Sequence, residues 1–201
     1  MMQSSNKQKS YRKSIRLSDY DYSRPGLYFV TICCQNRKFI FGRIADGEMI
    51  LNAFGNIAHE CVAKISGHFP TAEIDRFVIM PNHVHLLIFI RSEDTFHNIR
   101  AIRELPLRER MESRRKMLLP KIIGYYKMNV TKRVNTLRQR SGSTIWQRNY
   151  YEHVVRNDDE RNRLRRYIFN NPPCWEYDRE NRNDIPISEK KIFWDKFLAE
   201  E

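Results

Sequence analysis

The sequence predicts an α+β fold in which helices pack on an antiparallel sheet with a ferredoxin-like core. Strand-like and helix-like segments follow one another in the order strand, helix, hairpin, helix, strand, helix. Two of the strands are separated only by Pro81-Asn82, so they are expected to pair antiparallel. Two apolar stripes have helical spacing, and a sheet is the simplest surface on which to bury them.

The first half of the chain supplies four long elements and a short hairpin. Residues 27–35 are dense in aromatic and β-branched side chains and predict a buried strand. A short hairpin over residues 39–44 and 49–51 is expected to turn at Asp46-Gly47. Apolar residues recur every three or four positions over residues 52–68, which predicts a helix. Strands over residues 73–80 and 83–90 follow.

The second half predicts two helices around a last strand. Residues 119–137 carry a second apolar stripe with basic residues around it. Residues 146–156 are expected to be extended. A third helix begins at Asn157 or Asp158, because three acidic residues fall in its first turn, and it ends before Pro172-Pro173.

The composition favours a nucleic-acid partner. Lys and Arg outnumber Asp and Glu by 36 to 24, which gives a formal charge of +12. No apolar run is long enough to cross a bilayer, and we expect a cytoplasmic protein with no membrane partner. Four cysteines without CxxC spacing predict reduced thiols. We interpret residues 1–17 as a flexible basic arm, 18–175 as one catalytic domain with a charged insertion at 92–117, and 176–201 as a tail.

His83 and His85 are the first candidate site residues. Alternate residues of a strand face the same way, so their imidazoles are expected to lie side by side, as in a two-histidine metal site. Unpaired rings on an apolar strand need partners, and a metal supplies them. The alternative is that each ring hydrogen-bonds to a carbonyl, and HxH alone does not exclude it.

Tyr167 and Asn171 are the second pair. They are four residues apart on one face of the third helix, just before it ends. A nucleophile and an oxygen ligand can project together from this position. The inert alternative makes Tyr167 a packed ring and Asn171 a helix cap.

Three motifs together resemble the Y1 single-tyrosine HUH transposases, which include the REP-associated tyrosine transposases. They are MPNHVH at 80–85, WQRNYYEHVVR at 146–156 and RRYIFNNP at 165–172, and the resemblance spans about residues 18–175. It implies the HUH endonuclease fold and a single-stranded, hairpin-bearing DNA substrate. It also implies a divalent cation, Mg²⁺ or Mn²⁺, held by His83, His85 and Asn171. Asn170 stays open as an alternative to Asn171.

The resemblance further implies that Tyr167 attacks the DNA and leaves a 5′-phosphotyrosine and a free 3′-hydroxyl. Two imidazoles and an amide are neutral ligands, so the full charge of the cation would act on the cleaved phosphate. Imidazole generally suits later transition metals better than Mg²⁺. Tyr126 is expected in the core, whereas Tyr150 or Tyr151 could stack on a base.

Seven basic residues are candidate DNA contacts, three on the second helix and four nearer the site: Lys127, Lys132, Arg133, Arg148, Arg163, Arg165 and Arg166. Two other functions are compatible with the sequence. One is a non-catalytic RNA-binding module of ferredoxin-like fold, and the other is a metal-dependent phosphoesterase that forms no covalent enzyme. The oligomeric state, monomer or homodimer, is not predicted.

Overall fold

The computed structural model describes residue 22, residues 24–91 and residues 117–199. The predicted basic arm at 1–17 lies outside the described residues, as does the insertion at 92–117 except for Met117. The strands are β1 (Gly26–Cys33), β2 (Gly42–Ala45), β3 (Glu48–Leu51), β4 (Ala72–Ile79), β5 (His83–Ile90) and β6 (Tyr151–Val155). The helices are α1 (Ala53–His68), α2 (Leu118–Leu137), α3 (Asp158–Asn170) and α4 (Ile187–Phe197).

The main sheet confirms the predicted fold class. Its strand order is β4-β5-β1-β6, and each neighbouring pair is antiparallel. With α1 after β1 and α2 after β5, this is the spatial order of a ferredoxin-like fold. The strands β2 and β3 form a separate hairpin, in which Asp46 and Gly47 both have positive φ, as an Asp-Gly turn requires.

One face of the sheet forms the main core. Side chains of β1 and β5 that point this way, such as Tyr28, Val30 and Leu86, are fully buried under α1 and α2. Tyr126 of α2 is buried there as predicted, and its hydroxyl donates to the carbonyl oxygen of Ala58 at 3.3 Å. The packing on this face stabilises the sheet, and the opposite face remains available for functional side chains.

Among the described helices, α3 is the one that packs on the strands at the opposite face. Ile168 of α3 packs on Leu27, Phe29 and Leu87 in a second, smaller cluster. The helix lies against β4 and β5, so a cleft remains between it and the β1–β6 side of the sheet. His83 and His85 belong to this face, because they alternate with Val84 of the main core.

Local sequence signals explain where α1 and α3 begin. Asn52 caps α1, where its side chain accepts hydrogen bonds from the amides of Phe54 and Gly55. Asn157 caps α3 and accepts from the amide of Glu160. The strand predicted from residue 39 instead begins at Gly42, because Phe41 turns into the core and is fully buried. Among the described helices, none has an apolar stretch of the length that a bilayer crossing needs.

Candidate active site

The strand β5 brings two imidazoles together on the face under α3. The side chains of His83 and His85 are buried, and their Nε2 atoms lie 2.9 Å apart. The two-residue spacing on a strand predicts this side-by-side arrangement. Among the described residues, the Nδ1 atoms of both rings lie against side-chain oxygens, whereas the inert alternative for this motif expects backbone carbonyls there.

The outer nitrogens of both rings are held by polar side chains. The Nδ1 atom of His83 lies 2.8 Å from Asn82 Oδ1, and Asn82 Nδ2 donates to the Glu180 carbonyl oxygen at 2.9 Å. Because the Asn82 oxygen only accepts, the proton of a neutral His83 ring is on Nδ1 and its Nε2 carries the lone pair. His85 Nδ1 lies 2.9 Å from Thr31 Oγ1. Such partners orient imidazoles in metal sites.

Burial also sets the charge of the pair. Loss of solvent lowers the pKa of His83 to about 3, although the nearby Asp178 carboxylate acts in the opposite direction. The ring is therefore neutral at physiological pH. A neutral imidazole is the form that binds a metal ion.

The end of α3 brings the nucleophile candidate to the histidines. The Tyr167 hydroxyl lies 3.4 Å from His85 Nε2 and donates to Asp178 Oδ2 at 2.9 Å. Its ring is also packed edge-on against Trp194, with the ring centroids 4.5 Å apart. Burial, followed by the Asp178 carboxylate, raises the pKa of Tyr167 well above 10. In this arrangement the tyrosine is a protonated phenol.

Of the two adjacent asparagines, the structure brings Asn171 to this group. Asn171 is fully buried, and its Nδ2 donates to Asp178 Oδ2 at 2.7 Å. Its Oδ1 is buried and has no hydrogen-bond partner among the described residues. Asn170 points elsewhere, since its Nδ2 donates to the carbonyl oxygen of Arg166 at 2.9 Å. The single turn of helix between Tyr167 and Asn171 thus delivers both side chains.

A carboxylate, Asp178, completes the cluster and was not predicted from the sequence. It is fully buried, and its Oδ2 lies 3.9 Å from His83 Nε2 and 3.6 Å from His85 Nε2. Burial would raise its pKa, but His83 and the hydrogen bonds from His85 and Asn171 outweigh that effect and hold the pKa below its usual range. The group is therefore not the purely neutral set that the histidine pair and asparagine indicate. One ligand atom each from His83, His85 and Asp178 lies within 4.8 Å of the others.

The segment after α3 is fixed by α4. Lys190 is buried, and its Nζ donates to the carbonyl oxygens of Asp178 at 3.1 Å and Asn181 at 2.6 Å. The indole nitrogen of Trp194 donates to the Tyr177 carbonyl oxygen at 3.0 Å. Residues interpreted from the sequence as a tail therefore supply and hold a central side chain of the site.

A cleft of about 650 Å³ opens beside Tyr167, between α3 and the β1–β6 side of the sheet. Phe29 and His85 contribute to its lining from the sheet, and Leu164 and Tyr167 do so from α3. Three arginines line it as well: Arg37, Arg163 and Arg179. Arg163 was among the predicted DNA contacts, whereas Arg37 and Arg179 were not, because a lone arginine in a loop carries no sequence signal for such a position.

The other predicted DNA contacts do not converge on this cleft. Lys127 Nζ donates to the carbonyl oxygens of Gln147 at 2.7 Å and Arg148 at 3.1 Å, and Arg133 forms an ion pair with Glu60. Lys132 and Arg148 are exposed.

On α3, two predicted contacts are held by protein groups. Arg165 forms a two-pronged ion pair with Asp75, with the shortest N–O distance 2.6 Å, and Arg166 donates to the Leu198 carbonyl oxygen at 2.8 Å. Their role toward DNA remains a prediction.

Sequence comparison relates the chain to two proteins of Haemophilus influenzae. An uncharacterised protein is 38% identical over 174 residues, covering 84% of this chain and 92% of that protein. A protein provisionally named a REP-associated tyrosine transposase is 27% identical over 166 residues, covering 78% of this chain and 76% of its own length. The second of these relatives confirms the resemblance to the REP-associated tyrosine transposases. No protein-family model matches its sequence.

A solved structure of a REP-associated tyrosine transposase bound to a REP hairpin is also similar to this chain. The two are 18% identical, with a TM-score of 0.47, and the match covers 84% of this chain and 74% of the other.

Proposed function

We propose that this chain is a metal-dependent endonuclease and strand transferase for single-stranded DNA, in which Tyr167 forms a 5′-phosphotyrosine. The observation that carries the proposal is the position of the Tyr167 hydroxyl, 3.4 Å from His85 Nε2 in a buried cluster. A phenol that merely packs in a core does not need two imidazoles, an amide and a carboxylate around its oxygen. The sequence relationship to a tyrosine transposase supports the same assignment.

The residues around the hydroxyl fit a divalent cation. His83 and His85 turn their Nε2 atoms toward each other, and Asn171 Oδ1 is buried without a partner among the described residues. A buried polar atom without a hydrogen bond is unfavourable, and a cation would satisfy it. Nitrogen and oxygen donors with one carboxylate suit Mn²⁺ or Mg²⁺, with Mn²⁺ the better match to imidazole. We therefore assign His83, His85 and Asn171 as ligands, joined by Asp178.

When bound, the cation would polarise the cleaved phosphate and stabilise the negative charge that develops on it. The Tyr167 oxygen loses its proton, attacks the phosphorus and displaces the 3′ oxygen of the preceding nucleotide. The proton released by the tyrosine balances the one that the departing oxygen takes up as it leaves as a 3′-hydroxyl. Asp178 holds the tyrosine hydroxyl in place before attack. The new phosphotyrosine bond conserves the energy of the broken ester, so a 3′-hydroxyl can attack it and transfer the strand without ATP.

The substrate that we propose is a DNA strand that carries a hairpin and a single-stranded flank. A duplex would keep its bases stacked away from a narrow cleft, whereas an unpaired flank can enter it. The net charge of +12 favours a polyanion, and Arg163 lines the cleft next to the nucleophile. The hairpin itself is proposed from the resemblance to the REP-associated tyrosine transposases.

The decisive experiment incubates the full chain with a labelled single-stranded DNA hairpin and Mn²⁺, followed by denaturing electrophoresis. A labelled band at the mass of protein plus DNA is expected, and it should disappear with a chelator. His83→Ala should abolish the band, while the matched variant His59→Ala, a histidine on α1 outside the site, should keep it. Cleavage without an adduct would instead indicate a phosphoesterase. Binding of RNA without cleavage or metal dependence would indicate a binding module.

A further inference from the structure

We infer that the cleft beside Tyr167 is a base pocket, which receives one unpaired base of the DNA strand next to the cleaved phosphate. Gln147 and Asn149 read the edge of this base, and Tyr151 stacks on its face. This inference rests on the proposed function, because it assigns a specificity element to the same site. Its evidence is separate from the tyrosine and the histidines.

The size and surface of the cleft fit a nucleotide base. Its volume of about 650 Å³ falls within the range of pockets that hold small organic molecules. Phe29 and Leu164 give it an apolar lining, and Tyr151 on β6, a residue that is 39% exposed, contributes an aromatic ring. An exposed aromatic ring at the wall of a cleft offers a stacking surface that any base can use.

The pocket is continuous with the reacting groups. The Phe29 ring stacks on the His85 imidazole with centroids 5.1 Å apart, and it lies edge-on to Tyr167 at 6.0 Å. A base held against this wall therefore sits within one nucleotide of the tyrosine hydroxyl. Binding it would fix the register of the strand, and with it the phosphodiester bond that is cleaved.

Two side-chain amides are available to read the base. Gln147 and Asn149 line the cleft, and neither side-chain amide hydrogen-bonds to another described residue. An amide presents a donor and an acceptor side by side, which matches the edge of a base in a two-pronged contact. These side chains thus provide discrimination that stacking alone does not give.

The backbone that carries the amides is held in place. The amide of Gln147 donates to the Cys33 carbonyl oxygen at 2.9 Å, and Trp146 pairs with Cys34 as an isolated bridge. Lys127 Nζ binds the carbonyl oxygens of Gln147 and Arg148 from α2. A fixed backbone reduces the entropy lost when a base binds, so this segment is suited to recognition.

Charges around the cleft suit the strand that would carry the base. Arg163 and Arg179 are exposed and line the cleft from α3 and from the segment after it. Phosphates on either side of the bound base can reach these guanidinium groups, which provide positioning without sequence preference.

An abasic scan tests the pocket through binding. A fluorescein-labelled DNA hairpin with a single-stranded 5′ flank is made with an abasic site at each flank position in turn, and affinity is measured by anisotropy without metal. One position should weaken binding to the wild-type chain roughly tenfold. The Tyr151→Ala variant should bind the intact strand about as weakly as the wild type binds that abasic strand. Removing the base at that position should then cause no further loss of affinity, so the abasic penalty, meaning this loss, should vanish.

Phe89→Ala is the matched control, since Phe89 is 40% exposed on the same sheet but does not line the cleft. The Phe89→Ala variant should lose as much affinity as the wild type when the base at the sensitive position is removed. An equal abasic penalty in Tyr151→Ala and the wild type, or no sensitive flank position at all, would overturn the inference.

A second measurement separates reading from stacking. Four strands that differ only in the base at the sensitive position should differ in affinity for the wild type, and Gln147→Ala or Asn149→Ala should flatten that difference. Unchanged preference in both variants would overturn the role of the amides. If the wild type forms the covalent adduct but the abasic scan gives one of these negative results, only the inference of a base pocket is refuted. If no adduct forms, the proposed function is refuted, and the abasic scan still tests the base pocket because it measures binding without cleavage.

Discussion

The hydroxyl of Tyr167 donates to Asp178 Oδ2 at 2.9 Å, so the candidate nucleophile is held by a carboxylate eleven residues further along the chain. Asn171 donates to the same oxygen at 2.7 Å. The short segment after α3 therefore folds back onto the end of that helix and fixes the phenol beside His85. The hydrogen bond keeps the proton on the tyrosine, and in the proposed reaction this proton has to leave when the oxygen attacks phosphorus.

Replacing Tyr167 by phenylalanine removes only the oxygen that we propose as the attacking atom. We expect the covalent adduct to fall by at least about 1000-fold while DNA affinity changes less than a few-fold, because binding is spread over many phosphates. Denaturing electrophoresis and anisotropy measure the two effects. Adding Mn²⁺ should not restore this variant. Peptide mapping of the trapped adduct should find DNA on Tyr167, and finding it on Tyr126, Tyr150 or Tyr151 would refute the assignment.

Asn171→Ala should behave differently, since it keeps the proposed nucleophile and removes one oxygen that we propose as a metal ligand. Its adduct formation should be weak at low Mn²⁺ and recover in part as the Mn²⁺ concentration rises. Asn170→Ala is the matched control, because Asn170 bonds to the carbonyl oxygen of Arg166 instead. If Asn170→Ala shows the same metal dependence, the choice between the two asparagines is wrong.

Asp178→Asn tests whether the carboxylate takes part in metal binding. The substitution keeps the size of the side chain and removes its charge, so we expect Mn²⁺ affinity to fall by about 10-fold to 100-fold in titration calorimetry of the full chain. Asp184→Asn, an exposed change in the same segment, should leave it unchanged. Unaltered affinity in Asp178→Asn would show that Asp178 only holds the tyrosine hydroxyl.

The fold was predictable because its signals are local. Apolar spacing located α1 and α2 to within about a residue, and the capping residue Asn157 with three acids marked the start of α3. The pairing of His83 with His85 follows from strand geometry alone. The spacing of four residues from Tyr167 favoured Asn171 but left Asn170 open, since the choice depends on the direction of each side chain at the end of the helix.

The role of Asp178 and the protein partners of the basic residues could not be predicted from the sequence for a different reason. Nothing in the residues near Asp178 marks it as buried, and its position depends on Lys190 and Trp194 of a later helix. The partner of Arg165 is Asp75, which is 90 positions away along the chain. A single sequence does not distinguish a basic residue that binds DNA from one that pairs with a distant carboxylate.

Lys127 and Lys132 lie on the same helix but should respond differently to replacement by methionine. Lys127→Met leaves the Gln147 and Arg148 carbonyl oxygens without their charged donor and should lower the free energy of unfolding by about 1–2 kcal/mol. Lys132 is exposed, so Lys132→Met should leave the free energy of unfolding unchanged. It should reduce the slope of log affinity against log salt concentration by about one, as expected for the loss of one phosphate contact. Chemical denaturation and anisotropy at several salt concentrations measure both. Equal loss of stability in the two variants would contradict the anchoring role of Lys127.

Asp75 should make the attachment of α3 sensitive to acid. It lies at an irregularity of β4, where it binds Arg161 at 2.9 Å and Arg165 at 2.6 Å on the helix that carries Tyr167. Burial raises its pKa, but the two arginines outweigh that effect and lower it overall. A carboxyl whose pKa is lower in the folded state stabilises the protein fully above its unfolded pKa of about 4, and that contribution is lost as the pH falls through the folded value.

Asp75→Asn should therefore lower the free energy of unfolding by about 1–2 kcal/mol at neutral pH and remove part of the stability loss below pH 4. Urea denaturation between neutral and acidic pH measures this. The matched control is Glu73→Gln on the same strand, whose ion pair with Arg91 is exposed on both sides and should contribute little. Because the Asp75 pair joins α3 to the sheet, Asp75→Asn should also weaken adduct formation. A variant with an unchanged acid profile and full activity would show that the apolar contacts of Ile168 hold α3 without it.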